Sequence, residues 1–383
     1  MGWLNLFKHE LKAIFTNVSL VFTVFGGVVF YSFLYPLPYT NELPRDQKVV
    51  VVDLDQTQMS RELIRMADAT PQVHIAQHLG SIDAAKQALL DRQVEGILVI
   101  PHDFYKDVML GTSPTLAYAG NAALFLVYGT IVEGLSSAGT DLGVHAKINR
   151  LVLKGDNFVQ ATEQYSAMKL NMRPVFNVTM GYINYVVPAV FVLILHQTLL
   201  IGVGMVGASE NEARAAGKTG YWAEYPVWMI MMVRAFIFVI IYLVLACYYF
   251  GFTFTYYGVN RLASIPDLVS MTIAFLLAVI MLGMVLGQLI PRCELVTLVV
   301  LLSSLPLVFT AGFIWPASEL PTLLRELSQL APSTPAINGF LGLNQMGATF
   351  AQMIGWWQQL WLQALGFGAL AFWLMSRARK VSR

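Results

Sequence analysis

The sequence predicts an α-helical polytopic membrane protein: six transmembrane helices, with an extracytoplasmic α/β domain inserted after the first. Three observations predict it. Apolar residues make up 56% of the 383 and charged ones only 12%, about half the charge of an ordinary globular domain. Six stretches each hold about 20 mostly apolar residues, enough to cross a bilayer. Between the first two of these the texture changes, and short apolar runs alternate with polar, helix-forming segments.

Residues 1–36 begin with an amphipathic stretch. Trp3, Leu4, Phe7, Leu11, Ile14 and Phe15 form one face from Trp3 to Phe15, with Lys8, Glu10 and Lys12 off it. Such a helix lies in the membrane plane, or else extends the first span into the cytoplasm. The first span is Val18 to Tyr35. Its apolar run is too long for a signal peptide, and Pro36 and Pro38 follow it in place of a small-x-small cleavage site, so it reads as an uncleaved anchor.

Residues 37–180 read as the soluble domain. Val49 to Leu54 is a continuous apolar run, the mark of a buried strand. Ser60 to Asp68 is helical, and Val73 to Gln77 alternates as a short strand. Ser81 caps a helix running to Arg92, Gly96 to Ile100 is a second buried strand, and Thr115 to Ala119 is a further one. A long helix is expected over Ala122 to Gln164. Its apolar residues Leu124, Tyr128, Ile131, Leu135, Ala138 and Leu142 form a seam of period 3.5. The seam packs within the chain, or else it meets a second protomer or an adaptor protein.

Residues 181–383 hold the remaining spans: Ile183 to Val206, Val227 to Phe250, Leu268 to Ile290, Leu295 to Trp315 and Trp356 to Met375. Short-loop Lys and Arg set the orientation. Lys8, Lys12, Arg214, Lys218, Arg292, Arg377, Arg379, Lys380 and Arg383 fall on one side, leaving only Arg261 and Arg325 in the short loops of the other. Both termini are therefore expected in the cytoplasm. Trp315, Trp356 and Trp357 sit at span ends, where interfacial aromatics anchor helices.

The chemistry is bounded by what the sequence lacks. Net charge is +1, so nothing points to nucleic acid. Cys247 and Cys293 lie in or beside apolar stretches and read as structural fillers. No phosphate-cradling Gly-x-x-x-x-Gly-Lys-Ser/Thr loop occurs, nor a zinc or serine-hydrolase motif, so no catalytic residue, metal or cofactor is expected. Asp53 and Asp55 read as a strand-to-helix turn. Within the spans, His196 and Gln197 sit midway along the second, and Arg234 lies two turns into the third, able to snorkel to the surface. A proton relay of Asp, Glu and His is absent, which disfavours ion-coupled transport.

Three stretches resemble the type-two ABC-transporter permeases, the exporter branch whose external domain follows the first span. They are Val50-Val51-Val52-Asp53-Leu54-Asp55-Gln56-Thr57 through Leu63; Glu95-Gly96-Ile97-Leu98-Val99-Ile100-Pro101 through Val108; and Thr310 to Pro316 with Leu320-Pro321 and Ala331 to Pro335. The resemblance implies a permease subunit of the bacterial inner membrane, moving a hydrophobic or amphipathic substrate outward. It implies cytoplasmic ATP-binding subunits as partners, a second permease protomer, and leaves room for a periplasmic adaptor. It also implies a re-entrant segment near 316–350. In that family the loop after the second span carries an acidic-basic-acidic run and touches the ATPase. Here the run is Glu210-Asn211-Glu212, with Arg214 following, and the Gly-Thr pair is split by Lys218. The expected coupling residues are Glu210, Glu212 and Arg214, with Phe7 and Lys8 of the amphipathic helix. The second and fifth spans line the route in the family, which nominates Phe191, His196, Gln197, Phe309 and Phe313. The rival readings are a non-transporting scaffold or receptor, and an ion-coupled transporter.

Overall fold

The computed structural model describes residues 2–40, 44–165, 175–177 and 181–381. Contacts divide the chain into two compact units. One comprises Met1–Thr40 with Pro174–Arg383, the other Asn41–Arg173. Residues 178–180, the end of the expected soluble stretch, and Arg383 lie outside the described residues.

The smaller unit is a four-stranded sheet with helices on both faces. Its elements run β1 (Gln47–Asp53), α3 (Gln58–Asp68), β2 (Val73–His78), α4 (Ile82–Leu90), β3 (Gly96–Ile100), α5 (Phe104–Leu110), β4 (Ala117–Gly120), α6 (Phe125–Leu153) and α7 (Phe158–Tyr165). Helices α1 (Trp3–Thr16) and α2 (Val18–Tyr39) belong to the larger unit. Strand order is β2-β1-β3-β4. β1 is parallel to β2 and β3, while β4 runs antiparallel to β3. Alternate residues of β1 explain its unbroken apolar run. Val49 and Val51 face a core with Leu63 of α3 and Ile131 of α6. Val50 and Val52 face a second core with Ala85 and Ala88 of α4. A strand covered on both sides has no polar face to show.

Asp53 and Asp55 form the strand-to-helix turn. Asp53 Oδ1 accepts from the backbone N–H of Asp55 at 3.1 Å and of Gln56 at 2.9 Å, and Oδ2 accepts from Ser60 Oγ at 2.7 Å. Asp55 Oδ2 accepts from Thr57 Oγ1 at 2.6 Å. The single long helix expected over Ala122 to Gln164 is instead two. Gly155, at φ +106°, ends α6 in the left-handed region and α7 restarts at Phe158. Within α6 the seam residues Ile131, Leu135, Ala138 and Leu142 pack on the sheet, so the seam is used inside this unit. Leu124, just before α6, is exposed.

The larger unit is helical. α1 (Trp3–Thr16) precedes the first-span helix α2 (Val18–Tyr39). They are separate helices: Asn17 is extended, and its Oδ1 accepts from Leu20 N–H at 3.1 Å, capping α2. α8 (Tyr182–Ala215), the short α9 (Tyr221–Glu224), α10 (Val227–Tyr256), α11 (Ile265–Leu289) and α12 (Cys293–Thr310) follow. Then come α13 (Thr322–Ser328), α14 (Ser333–Asn344) and α15 (Phe350–Val381). Among the described residues five helices are long and apolar enough to cross a membrane: α2, α8, α10, α11 and α12. The sixth expected span falls within α15, which is 32 residues long but carries Gln358, Gln359 and Gln363 in its apolar stretch. Gln359 and Gln363 donate Nε2–H to the backbone carbonyl of Gln329 at 3.0 and 2.7 Å.

α8 is the centre of this unit: 94% of its apolar stretch is buried, against 11% in α12. Glycines set its closest neighbour. A Cβ on Gly207 of α8 would sit 2.9 Å from the Gly287 Cα of α11, and one on Gly287 would sit 2.8 Å from the Gly204 carbonyl oxygen. Backbone-to-backbone approach of this kind needs small residues on both helices. α14 has 12 residues, about 18 Å at 1.5 Å per residue, roughly half a bilayer core. It is buried from Ser333 to Ile337.

Candidate coupling junction

The stretch after Val206 was expected to be a loop from Gly207 to Glu224. Its residues, Gly-Ala-Ser-Glu-Asn-Glu-Ala-Arg-Ala, are mostly strong helix formers, and α8 continues through them to Ala215. Gly217, at φ +68°, provides the stop. Successive side chains on a helix turn by about 100°. Glu210, Asn211 and Glu212 therefore point to three different neighbours.

Glu210 points inward. It is 1% exposed and accepts a hydrogen bond from Nη2 of Arg234 on α10. Arg234 is equally buried. It donates from Nε to Glu10 Oε2 at 2.9 Å and from Nη2 to Glu10 Oε1 at 2.8 Å. Glu10 belongs to α1 and is fully buried. Arg214 Nη2 stands 3.6 Å from the other oxygen of Glu210. Two carboxylates thus face two guanidinium groups, so the cluster is neutral as a whole. A buried charge survives only when paired in this way. Tyr221 closes the cluster, donating its hydroxyl to Glu10 Oε1 at 3.0 Å, and its ring stacks on His9 at 5.5 Å. Burial raises the Tyr221 phenol above its ordinary value, and Glu10 and Glu210 add to the rise against the opposing pull of Arg234. The phenol stays protonated and remains a donor.

Two expectations are corrected here. Glu10 was placed with Lys8 and Lys12 off the apolar face of α1, and Arg234 was expected to snorkel. Lys8 and Lys12 are exposed, but Glu10 turns toward α10 and holds Arg234 in the interior. Each charge supplies what the other needs, so neither reaches for water. α1 is further seated on α10 by Trp3 against Trp228 at 5.6 Å and Phe7 against Phe236 at 6.5 Å. Phe7 is half-buried in that contact.

Asn211 points to the end of α11. Its Nδ2 donates to the carbonyls of Gly287 at 2.8 Å, Gln288 at 3.2 Å and Ile290 at 3.1 Å. These are carbonyls of a helix terminus, which has no partners of its own. Glu212 is exposed, yet its Oε1 accepts from the Cys293 N–H at 2.7 Å, the first free N–H of α12. A carboxylate there also faces the positive end of the helix dipole. Arg214 Nη1 bonds Asn211 Oδ1 at 3.0 Å and Gln288 Oε1 at 3.3 Å. One turn of α8 therefore ties α1, α10, α11 and α12 together. The Glu-Asn-Glu spacing was visible in the sequence, but its partners lie 24 to 81 positions away, and only the fold names them.

Asn211→Ala is expected to lower stability by about 1–3 kcal/mol, because α11 is left with unpartnered carbonyls. Asn211→Asp should melt lower still, since it turns a negative charge on the negative end of α11. Thermal unfolding of the two variants in detergent checks this, and the reverse order would show that the amide does not cap.

The pathway candidates do not share one surface. Phe191 is buried and stacks on Tyr249 of α10 at 4.2 Å. His196 is buried, and neither ring nitrogen has a hydrogen-bond partner. Gln197 is half-buried. Phe313 is buried, and its carbonyl accepts from the Tyr185 hydroxyl. Phe309 is 51% exposed. Phe191 is thus packed inside the bundle, and both ring nitrogens of His196 are left unsatisfied in α8.

A family model described as ABC-2 family transporter protein matches residues 18–373. The comparison with curated proteins gives no match. The match runs from the first residue of α2 into the last turns of α15, across both units and every apolar helix. The chain therefore belongs to the ABC-2 family of transporter proteins, as a membrane permease.

Proposed function

We propose that this permease is the membrane subunit of an ATP-driven exporter. Cytoplasmic ATP-binding subunits would supply the energy, and a second permease protomer would complete the route for a hydrophobic or amphipathic substrate. The observation that carries the reading is the buried Glu10–Arg234–Glu210 cluster. It joins a surface helix, α1, to the central helix α8 through α10. A push on α1 is then felt in the core, because the charges separate only at high cost.

The topology follows from the same end of the bundle. Hydrogen bonds tie α1, the end of α8, the start of α10, the end of α11 and the start of α12 into one face. Arg379, near the end of α15, donates to the carbonyls of Tyr225 and Ala223 at 2.7 Å each and joins that face. A chain whose two ends meet on one face crosses an even number of times. On this reading α15 is the sixth span, beside the five apolar helices. The Lys and Arg bias makes this face cytoplasmic, with the smaller unit outside and the membrane of a bacterial inner-membrane type.

The docking role shifts within the expected set. Glu210 is committed to Arg234, so it transmits force, while exposed Lys8 and Glu212 are left to meet the ATP-binding subunit. Phe7 and Arg214 seat the two helices. Single cysteines at Asp91 and Lys380 should label oppositely with an impermeant reagent on intact cells. Copurification in mild detergent should bring down an ATP-binding subunit, and Lys8→Glu with Glu212→Lys should lose it while keeping the labelling pattern. Equal labelling, or undiminished copurification in the double variant, would sink the proposal.

A further inference from the structure

The smaller unit contains a cleft that neither the sheet nor the coupling junction explains. It has a volume of about 260 Å³ and lies between α5, the turn at 111–116 and the second half of α6. Its apolar wall is Phe104 and Val108 of α5, with Leu116 and Leu142. Its polar end is Arg150, with Lys147 one turn away. No Asp or Glu lines it.

Arg150 is the informative residue. Its Nε is buried without a hydrogen-bond partner, and no ion pair to it occurs among the described residues. Its guanidinium lies against the backbone of Gly111. A Cβ at that position would collide with it, and Gly111 stands at φ +85°. The cleft is thus shaped to hold a guanidinium at the end of an apolar trough, with that guanidinium left unpaired. Buried polar groups are normally partnered, and a planar guanidinium matches a carboxylate through two parallel hydrogen bonds. A phosphate monoester would fit the charge but not the trough, and the volume is below that of a drug-sized ligand.

We propose that this cleft binds a small amphipathic carboxylate, its head on Arg150 and its short apolar body along Phe104, Val108, Leu116 and Leu142. A free short-chain acid and the C-terminal residue of an apolar peptide present the same chemistry. The site stands in the smaller unit and does not rest on the exporter reading.

Two substitutions isolate it. Arg150→Gln removes the charge. Gly143→Leu fills the trough: a Cβ at Gly143 meets nothing within 4 Å, and leucine is a better helix former than glycine, so the fold tolerates it. The full chain in nanodiscs of zwitterionic lipid is titrated with 6,6,6-trifluorohexanoate, read by ¹⁹F line width against empty nanodiscs. Saturable broadening is expected. Hexanoate and N-acetylleucine should each be tested as competitors, and the stronger one identifies the source. Trifluorohexanol, which enters lipid but carries no charge, should not saturate. Both variants should weaken binding at least tenfold. Absence of saturation, binding that survives Gly143→Leu in a folded protein, or inorganic phosphate competing as well as either carboxylate would each overturn the proposal.

Discussion

Arg234→Met is expected to destabilise the protein by about 3–5 kcal/mol, the largest effect of any single change considered. Removing the guanidinium leaves Glu10 and Glu210 buried beside each other, with Arg214 near Glu210 and only the Tyr221 hydroxyl on Glu10. The cost of breaking a buried pair is mostly that of the partner stranded without it. A combined variant, Glu10→Leu, Glu210→Leu and Arg234→Met, leaves no buried carboxylate. Arg214 keeps its bonds to Asn211 and Gln288, and only the Tyr221 hydroxyl loses its partner. Much of the loss should therefore be recovered, because apolar replacement of a buried ion cluster is often neutral. Thermal unfolding in detergent checks both. The combined variant also separates stability from coupling: it should fold while substrate-stimulated ATP hydrolysis by the assembled complex falls. A single variant no less stable than the parent would show that the cluster is dispensable for folding.

Gly287→Val should have the second largest effect, about 1–3 kcal/mol or more, by overpacking. The added Cβ would press on the Gly204 carbonyl at 2.8 Å and the Gly207 Cα at 3.0 Å. Both are backbone atoms, so no side-chain rotation relieves the contact, and α8 and α11 must part. The Asn211 bonds to the end of α11 lie within one turn and would lengthen with them. Gly366→Ala on α15 is the control. Nothing lies within 4 Å of that position, and alanine is the better helix former by about 1 kcal/mol. Equal melting temperatures for the two variants would refute the close-approach argument.

How much was legible follows from the range of each interaction. The strands and the apolar helices were readable because burial on both faces, or immersion in lipid, leaves a local mark. Val49 to Val52 and the five long apolar helices carry that mark in their own residues. Glu10 and Arg234 do not. Each looks like a surface charge when read alone, and they meet across 224 positions. The end of α8 was misplaced for a different reason. Hydropathy falls at Ser209, and a drop in hydropathy was read as the end of a helix, although Glu, Ala and Arg continue a helix as well as Leu and Val do. α15 shows the converse, since its glutamines dilute the apolar signal without interrupting the helix.

Those glutamines bear on how the chain is made. On the six-span reading, α15 follows the five apolar spans and is the least able of the six to partition into lipid by itself, because its amides would enter hydrocarbon without partners. Gln359 and Gln363 find theirs at the Gln329 carbonyl, which takes its place only once the segment ending α13 has folded back on the bundle. On that reading, insertion of α15 is expected to depend on packing against the preceding helices as well as on transfer into lipid. On the same reading, a chain whose α15 failed to insert would leave Arg379 and Lys380 on the opposite side of the membrane from α1. The amide bonds at Gln329 would then be a condition for α15 to stay within the bundle.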